Sequence, residues 1–406
     1  MIGVIADDLT GAAEIGAVGL RHGISAEVIF SGFPRRTTDL VCVDTESRSL
    51  APIEAAERVA AAARGLKRAG AKFIFKKTDS VLRGPVTAEL EAMMQELGCA
   101  RVLLLPANPS LGRTIRVGKY FVRGKAIHRT DFARDPEHPR RSSNVLRLLA
   151  RSELFPVRVL RLDEDFPATG IFVGEVSSAT RIREWIARLE PDMLLAGGAE
   201  TFDAWLSATR NTRRATPKKS LKPSKLPRAI FVCGSASEAC RKFVARAKRS
   251  GVPIVPLPAE LAWSSEFSSG AAAAVAQQVI ETLESERQLV LTVGLPQVND
   301  REVARRLTGH LTHLAARVIY GANVKQVFAE GGETAAALVR QMHWMRLTVK
   351  RELAPGVATL ESDGDEPVLF TVKPGSYLWP ADILRPRVPG KVFAQRSGQR
   401  KQKSAK

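Results

Sequence analysis

The sequence predicts an α/β protein of two domains, each a mainly parallel sheet flanked by helices, the second with antiparallel strands added. Three observations carry that expectation. Short apolar, β-branched runs alternate with segments of helical spacing, the pattern of strand–helix–strand crossovers. The alternation stops once, at a basic segment poor in large apolar residues, and then restarts. A chain of 406 residues, 45% of them apolar, exceeds one ordinary domain and suffices for two cores.

In order, the first half offers strands over Ile2–Ala6, Ala26–Phe30, Leu40–Val43, Lys72–Phe75, Arg101–Leu105 and Met193–Ala196. Helical spacing covers Ala12–His22, Pro52–Ala69 and Pro85–Leu97, with each proline at a first turn that tolerates it. The second half offers strands over Ala229–Cys233, Val252–Val255, Gln288–Val293 and Lys325–Ala329. Its helices are Ser237–Lys248, Gly270–Ser285, Asp300–Val318 and Glu333–Met342, and Leu347–Val372 reads as two or three consecutive strands. The expected division is residues 1–207, a basic linker 208–228, a second domain 229–384, and a basic tail 385–406.

The formal charge of +19 resolves into those two basic stretches. Eight Lys or Arg and no acid lie between Ala208 and Arg228, and eight more with no acid lie from Arg385 onward, leaving the body near +3. Such segments give weak, salt-sensitive contact with any polyanion but no dedicated nucleic-acid site. No run of 18 apolar residues reads as a membrane span, and the opening Met1-Ile-Gly-Val-Ile-Ala-Asp-Asp has no signal-peptide pattern. Four separated cysteines without a CxxC pair fit a reducing cytoplasm and a protein without a sequence-readable zinc site.

In open α/β sheets ligands bind beyond the carboxyl ends of strands. Four such places are unusually polar: Ala6-Asp7-Asp8-Leu9-Thr10-Gly11; Val43-Asp44-Thr45-Glu46-Ser47-Arg48; Lys76-Lys77-Thr78-Asp79-Ser80-Val81-Leu82-Arg83-Gly84; and Pro106-Ala107-Asn108-Pro109 through Gly112-Arg113-Thr114. Arg48, Lys76, Lys77 and Arg83 beside Asp8 and Asp79 suit an anionic, hydroxylated small molecule. Cations hold its carboxylate, and an Asp accepts from a hydroxyl and takes its proton. The plainer alternative is a capped helix at Asp7, Asp8 and Thr10, with Lys76 and Lys77 at a solvated strand end. In the second half, Gly234-Ser235-Ala236-Ser237 and Glu330-Gly331-Gly332-Glu333-Thr334 link strand to helix, where free N–H groups favour phosphate oxygens. An ordinary tight turn is the alternative there. GxxxxGK[ST], GxGxxG after a strand and GxSxG are absent, which argues against a P-loop, an NAD-dependent dehydrogenase and a serine hydrolase. His310 and His313 read as surface or packing residues and Cys233 as a buried small apolar one.

These phrases, in this order and with His128-Arg129-Thr130-Asp131-Phe132-Ala133-Arg134-Asp135-Pro136, resemble the four-carbon acid sugar kinase family. The resemblance spans nearly the whole chain outside the linker and tail. It implies an N-terminal sugar-acid-binding domain and a C-terminal ATP-binding domain. The implied reaction carries the γ-phosphoryl group of ATP, with Mg²⁺, to a terminal hydroxyl of threonate, erythronate or an oxo-tetronate. Carried over by position, Asp8, Arg48, Lys77, Thr78, Asp79, Ser80 and Arg83 hold the sugar acid. Ser235, Gly331, Gly332, Glu333, Thr334 and Gly375 hold ATP. Asp8 or Asp79 takes the hydroxyl proton, and Lys119 joins Arg83 as a phosphate-side cation. A cytoplasmic enzyme, and a homodimer as one assembly, are the further expectations. One departure stands out. Where the family carries a glycine-rich Lys-Ala-Gly-Gly-Phe-Gly-like segment, this chain reads Lys373-Pro374-Gly375-Ser376-Tyr377-Leu378-Trp379-Pro380, with bulky Tyr377 and Trp379 where small residues admit phosphates. That substitution motivates an alternative, a catalytically degenerate paralogue that senses or binds the sugar acid.

Overall fold

The computed structural model describes residues 1–30, 38–135, 137–210, 227–235, 237–263, 269–295, 300–375 and 377–384. Most of the basic linker, the basic tail, and Pro136, Ala236 and Ser376 lie outside these. The first half runs β1 (Ile2–Ala6), α1 (Leu9–Arg21), β2 (Ala26–Ile29), β3 (Leu40–Asp44), α2 (Pro52–Arg68), β4 (Phe73–Lys77), α3 (Val86–Leu97) and β5 (Arg101–Leu105). It continues through β6 (Arg113–Arg116), β7 (Lys119–Val122), β8 (Lys125–Ala126), α4 (Val145–Leu148), β9 (Val157–Leu160), β10 (Gly170–Gly174), α5 (Ala179–Ala187), β11 (Met193–Gly197) and α6 (Ala199–Thr209). The second half runs β12 (Ala229–Cys233), α7 (Glu238–Arg249), β13 (Ile254–Pro256), α8 (Ala259–Trp263), α9 (Ser269–Glu286) and β14 (Gln288–Thr292). It closes with α10 (Arg301–Gly321), β15 (Gln326–Glu330), α11 (Gly332–Gln341), β16 (Arg346–Ala354), β17 (Val357–Ser362) and β18 (Leu369–Lys373).

The first half's strands β2-β3-β1-β4-β11-β5-β10-β9 are parallel throughout, as are β13-β14-β12-β15-β18 in the second. Parallel strands covered on both faces read as near-continuous apolar runs, and β1, β10, β11, β12 and β14 are buried at every residue. In each half the chain leaves its first strand to one side and returns on the other, which opens a crevice at the carboxyl ends of β1/β4 and of β12/β15.

The expected α/β halves are therefore present, with one addition. The antiparallel strands β16 and β17 join them, because β16 pairs with β2 and puts fifteen of the strands in one sheet. At that seam Arg346 donates to the buried Glu27 carboxylate at 2.7 Å. Several segments differ from expectation, and the strands β9 and β10 and the helices α5 and α6 lie beyond it. The fourth strand extends through Lys77, so Lys76 and Lys77 belong to the strand and are buried, not a solvated end. The region 113–126 forms a separate three-stranded antiparallel sheet, β6-β7-β8. No helix among the described residues is long and apolar enough to cross a membrane.

Candidate active site

Register places the residues after β1 at the centre of the first crevice: Ala6 lies beside Asp44 of β3 on one side and Lys77 of β4 on the other. Asp8 is the N-cap of α1 and accepts from Gly11 N at 2.9 Å, satisfying one of the helix's orphan donors. Its other oxygen accepts from Thr10 Oγ1 at 2.6 Å and from Arg48 at 2.8 Å. The same guanidinium forks onto Asp7 at 2.8 and 3.0 Å, the bidentate geometry Arg favours with a carboxylate. Burial pushes the Asp8 carboxyl up, but Arg48 and Lys77, with the Thr10 and Gly11 hydrogen bonds, hold it below the usual value. Behind this layer Lys76 Nζ pairs with Glu89 at 3.0 Å in full burial, and Ser47 donates to the same carboxyl group. That pair fixes the strand ends from below.

The β4–α3 loop makes a second cluster. Arg83 grips both Asp79 oxygens at 2.9–3.1 Å and reaches Asp135 at 3.0 Å, while Asp79 also caps Val81 N at 3.1 Å. Burial opposes ionisation of Asp79, but Arg83 and Arg48 outweigh it and hold the carboxyl far below the usual range. Arg113 donates to Ser80 Oγ and Tyr120 to Ser80 O. Buried Leu82 adopts φ +60, held by Leu82 N on Asp79 O and by Arg140 on its own carbonyl at 2.8 Å. A non-glycine residue in the left-handed region persists only where its surroundings over-determine it, and here they shape the loop that carries Asp79. Two buried atoms on the rim have no hydrogen-bond partner, Asp44 Oδ2 and Thr78 Oγ1. Burial raises Asp44 well above the usual carboxylate value, with Glu46, Asp8 and Asp7 adding repulsion.

In the second half, Gly234, Ser235, Gly331, Thr334 and Gly375 converge. A Cβ on Gly375 would lie 3.4 Å from Ser235 Oγ and 4.0 Å from Gly331 Cα, and Gly234 leaves no room for one beside Thr334 Oγ1. Ser237 caps α7 through Cys240 N at 3.1 Å and donates to Gly375 O at 3.0 Å, tying the two turns together. Gly331, at φ +96, starts α11 without a side-chain cap, so the first N–H groups of that helix face the convergence. Glu333, on the first turn of α11, lines a cavity between α10 and α11 with Arg305, Thr308 and Arg340. Below the turn, Lys373 and Glu330 form a fully buried ion pair at 2.9 Å, with Trp379 Nε1 donating to the other carboxylate oxygen at 2.9 Å. Cys233 and Cys240 approach Glu330 within 4.8 Å, but that carboxylate is already held by Lys373 and Trp379.

The two clusters meet. A Cβ on Gly332 would stand 2.9 Å from Asp8 Oδ2 and 3.5 Å from Thr10 Oγ1, so the glycine turn lies directly against the Asp8 carboxylate. Tyr377 reaches across to donate to Glu14 Oε1 at 3.4 Å, and Glu14 pairs with Lys77 at 3.6 Å. Arg340 pairs with Glu46.

Of the residues singled out by sequence, Asp8, Arg48 and Lys77 share the first cluster and Asp79, Ser80 and Arg83 the adjoining one, with Thr78 between them in the chain. Lys119 is exposed on β7 and takes part in none of these bonds. Trp379 does not intrude on the glycine turn: it is buried among Phe231, Phe243 and Phe328. Glu14 and Arg140 had no role in the sequence-based expectation, and Ser237 entered it only within the turn Gly234–Ser237 and as a helix start. Arg113 and Asp135 lay within quoted phrases without a part. Glu14 carried no signal, being one acid inside an apolar helix.

Residues 2–203 match the family model of a sugar-binding N-terminal domain and residues 230–377 that of a nucleotide-binding C-terminal domain. The chain belongs to the four-carbon acid sugar kinase family. Relatives in that family include a 3-oxo-tetronate kinase of Pseudomonas fluorescens, 27% identical over 93% of this chain and 94% of its own. A D-threonate kinase of Salmonella typhimurium is 27% identical over 87% of this chain and 89% of its own. Two solved structures share the fold: one from Salmonella typhimurium LT2 (TM-score 0.74, 22% identity, 93% of this chain and 96% of that one) and Haemophilus influenzae protein HI1011 (0.68, 20%, 92% and 96%). As a four-carbon acid sugar kinase family member the protein is a small-molecule kinase with a nucleotide-binding second half.

Proposed function

We propose that this kinase transfers the γ-phosphoryl group of ATP to the terminal hydroxyl of a tetronate, either threonate, erythronate or an oxo-tetronate. The observation that carries the reading is the abutment of Gly332 on Asp8, which puts a phosphate-type helix terminus against a carboxylate flanked by cations. Residues 1–207 would form the sugar-acid domain and 229–384 the ATP domain. Lys77, whose pairing with Glu14 is long at 3.6 Å, and Arg113, which donates to Ser80 and pairs with no carboxylate among the described residues, supply charge for the substrate carboxylate, since Arg48 and Arg83 are gripped by Asp7, Asp8, Asp79 and Asp135. Ser80 and Thr78 offer hydroxyls to the polyol.

Asp8, not Asp79, takes the hydroxyl proton in this reading. Both carboxylates are hydrogen-bonded on both oxygens, but Asp8 Oδ2, which Thr10 and Arg48 hold, lies against the glycine turn, whereas Asp79 is gripped by Arg83 in the adjoining cluster. Asp79 is a positioning residue that orients Arg83 and closes the loop. A depressed carboxyl is a weak base, but phosphoryl transfer through a loose transition state asks chiefly for alignment and charge neutralisation. Ser235, Thr334, Gly375 and the open N–H groups of α11 hold the polyphosphate. Mg²⁺ would neutralise the transferring phosphates. One donor here fits a hard cation, the buried Asp44 Oδ2, which has no partner; Asp7 and Asp8 beside it are held by Arg48. The reading of a degenerate sensor loses one of its two grounds, because Trp379 packs away from the turn, and the relatives' names, 3-oxo-tetronate kinase and D-threonate kinase, favour a working enzyme.

The test is ADP release with Mg-ATP across D- and L-threonate, D- and L-erythronate and their oxo forms. One acid should be turned over, and Asp8→Asn should lower its kcat by about 10²-fold or more, the usual worth of a positioned base. No turnover of any of them would refute the reading.

A further inference from the structure

The segment after β18 places three residues in three environments at two-residue spacing. Gly375 lies at the Ser235–Gly331 convergence, Tyr377 in the crevice between the halves, and Trp379 in the apolar core of the second half. Tyr377 N bonds to Pro374 O at 3.0 Å, which fixes the turn from which the phenol projects. Its ring packs on Gly356 at the β16–β17 hairpin tip so closely that a Cβ there would overlap it, and Gly356 holds φ +75. The ring is thus braced from behind by backbone. At the front its Oη donates to Glu14 Oε1, whose carboxylate pairs with Lys77. Burial and Glu14 push the phenol's pKa up and Asp79 adds to this, while Arg113 opposes it, so the hydroxyl stays protonated beside the groups that line the sugar-acid crevice.

We infer that Tyr377 is a specificity-determining residue: supplied by the nucleotide-binding half, it walls one end of the sugar-acid pocket and limits the acceptor to four carbons. The inference rests on the function proposed above. It deepens it by naming what sets acceptor length. A braced ring cannot swing aside for a longer polyol, and its hydroxyl holds Glu14 so that Lys77 stays available at a fixed distance. Because Gly375 and Tyr377 share one short turn, phosphate binding and pocket closure are set by the same segment.

The experiment compares wild type, Tyr377→Phe and Tyr377→Ala with four-carbon and five-carbon aldonates, recording kcat and KM for acid and ATP separately alongside melting temperature. Tyr377→Ala should raise the ratio of five- to four-carbon kcat/KM by about tenfold or more, the scale of discrimination one or two methylenes allow. Tyr377→Phe should keep the length preference and raise KM for the acid a few-fold through loss of the Glu14 contact, with KM for ATP within twofold of wild type. An unchanged length ratio in a folded Tyr377→Ala protein overturns the inference while leaving the kinase reading intact. Should the alanine variant not fold, Tyr377→Leu replaces it, and the same ratio decides. A wild type that turns over five-carbon acids as well as four-carbon ones also overturns it. Wild type without activity on any four-carbon acid overturns the proposed function and this inference together.

Discussion

Replacing Gly332 by alanine tests the meeting of the two halves with one methyl group. The new Cβ would lie 2.9 Å from Asp8 Oδ2, about 0.5 Å inside the 3.4 Å at which ordinary contact begins. Asp8 cannot swing freely, because Thr10, Gly11 and Arg48 all hold it. Either the carboxylate or the start of α11 must therefore shift by a few tenths of an ångström. A misplacement of about 1 Å costs on the order of 10²-fold in a well-aligned reaction, so about half that displacement should cost about tenfold, or roughly 1.4 kcal/mol of barrier. Stability should not fall in step. Alanine is favoured over glycine by up to about 1 kcal/mol within a helix, and Gly332 is the first residue of α11. Steady-state ADP release and thermal denaturation on the same preparation separate the effects. Gly65→Ala is the control, since nothing lies within 4 Å of its new methyl group. Full activity in Gly332→Ala with an unchanged melting temperature would refute the claim that the glycine turn and Asp8 form one site.

Further outcomes follow from the buried charges. Lys373→Met should destabilise the protein by about 3–5 kcal/mol in urea unfolding by stranding Glu330, and adding Glu330→Gln should recover much of that loss. Ser237→Ala should cost about 1 kcal/mol of stability through its cap and raise KM for ATP by freeing Gly375. Asp79 has a depressed folded pKa, so its stabilising contribution is present above its unfolded value near pH 3.9 and lost as pH falls. The stability gap between wild type and Asp79→Asn should accordingly shrink from pH 5 toward pH 2. Asp44 has the opposite sign: its folded pKa is raised, so stability falls as pH rises from the unfolded value near pH 3.9 toward the folded one, and Asp44→Asn should gain on wild type as pH rises above about 4.

Much of this architecture is legible locally. The strands of both crevices are short apolar runs bounded by polar turns, and a Pro or an N-cap marks several helix starts. The sequence also shows where chemistry would gather, because polar phrases after β1, β3, β4 and β5 stand out against apolar strands. What is not legible depends on pairings distant in sequence. Nothing near Arg346 announces that β16 will lie against β2, since that seam joins residues more than 300 positions apart. The strands over Val157–Leu160 and Gly170–Gly174 are short and flanked by prolines and charges, which hid them. Lys76 and Lys77 read equally as a solvated strand end, and only the buried Glu89 and the half-buried Glu14 opposite them explain two lysines inside the sheet. Trp379 looked like an obstruction because its position along the chain is close to Gly375. Its ring instead joins the Phe231–Phe328 stack of the neighbouring core.

Phosphoryl transfer in this site requires a four-carbon acid and a nucleoside triphosphate to meet over Asp8 and the Gly331–Gly332 turn. A crystal structure with a non-hydrolysable ATP analogue and the turned-over acid measures this directly. The γ-phosphorus and the terminal hydroxyl oxygen should lie about 3–3.5 Å apart, with that hydroxyl on Asp8. A triphosphate bound away from α11, or an acid whose terminal carbon points away from Asp8, would contradict it.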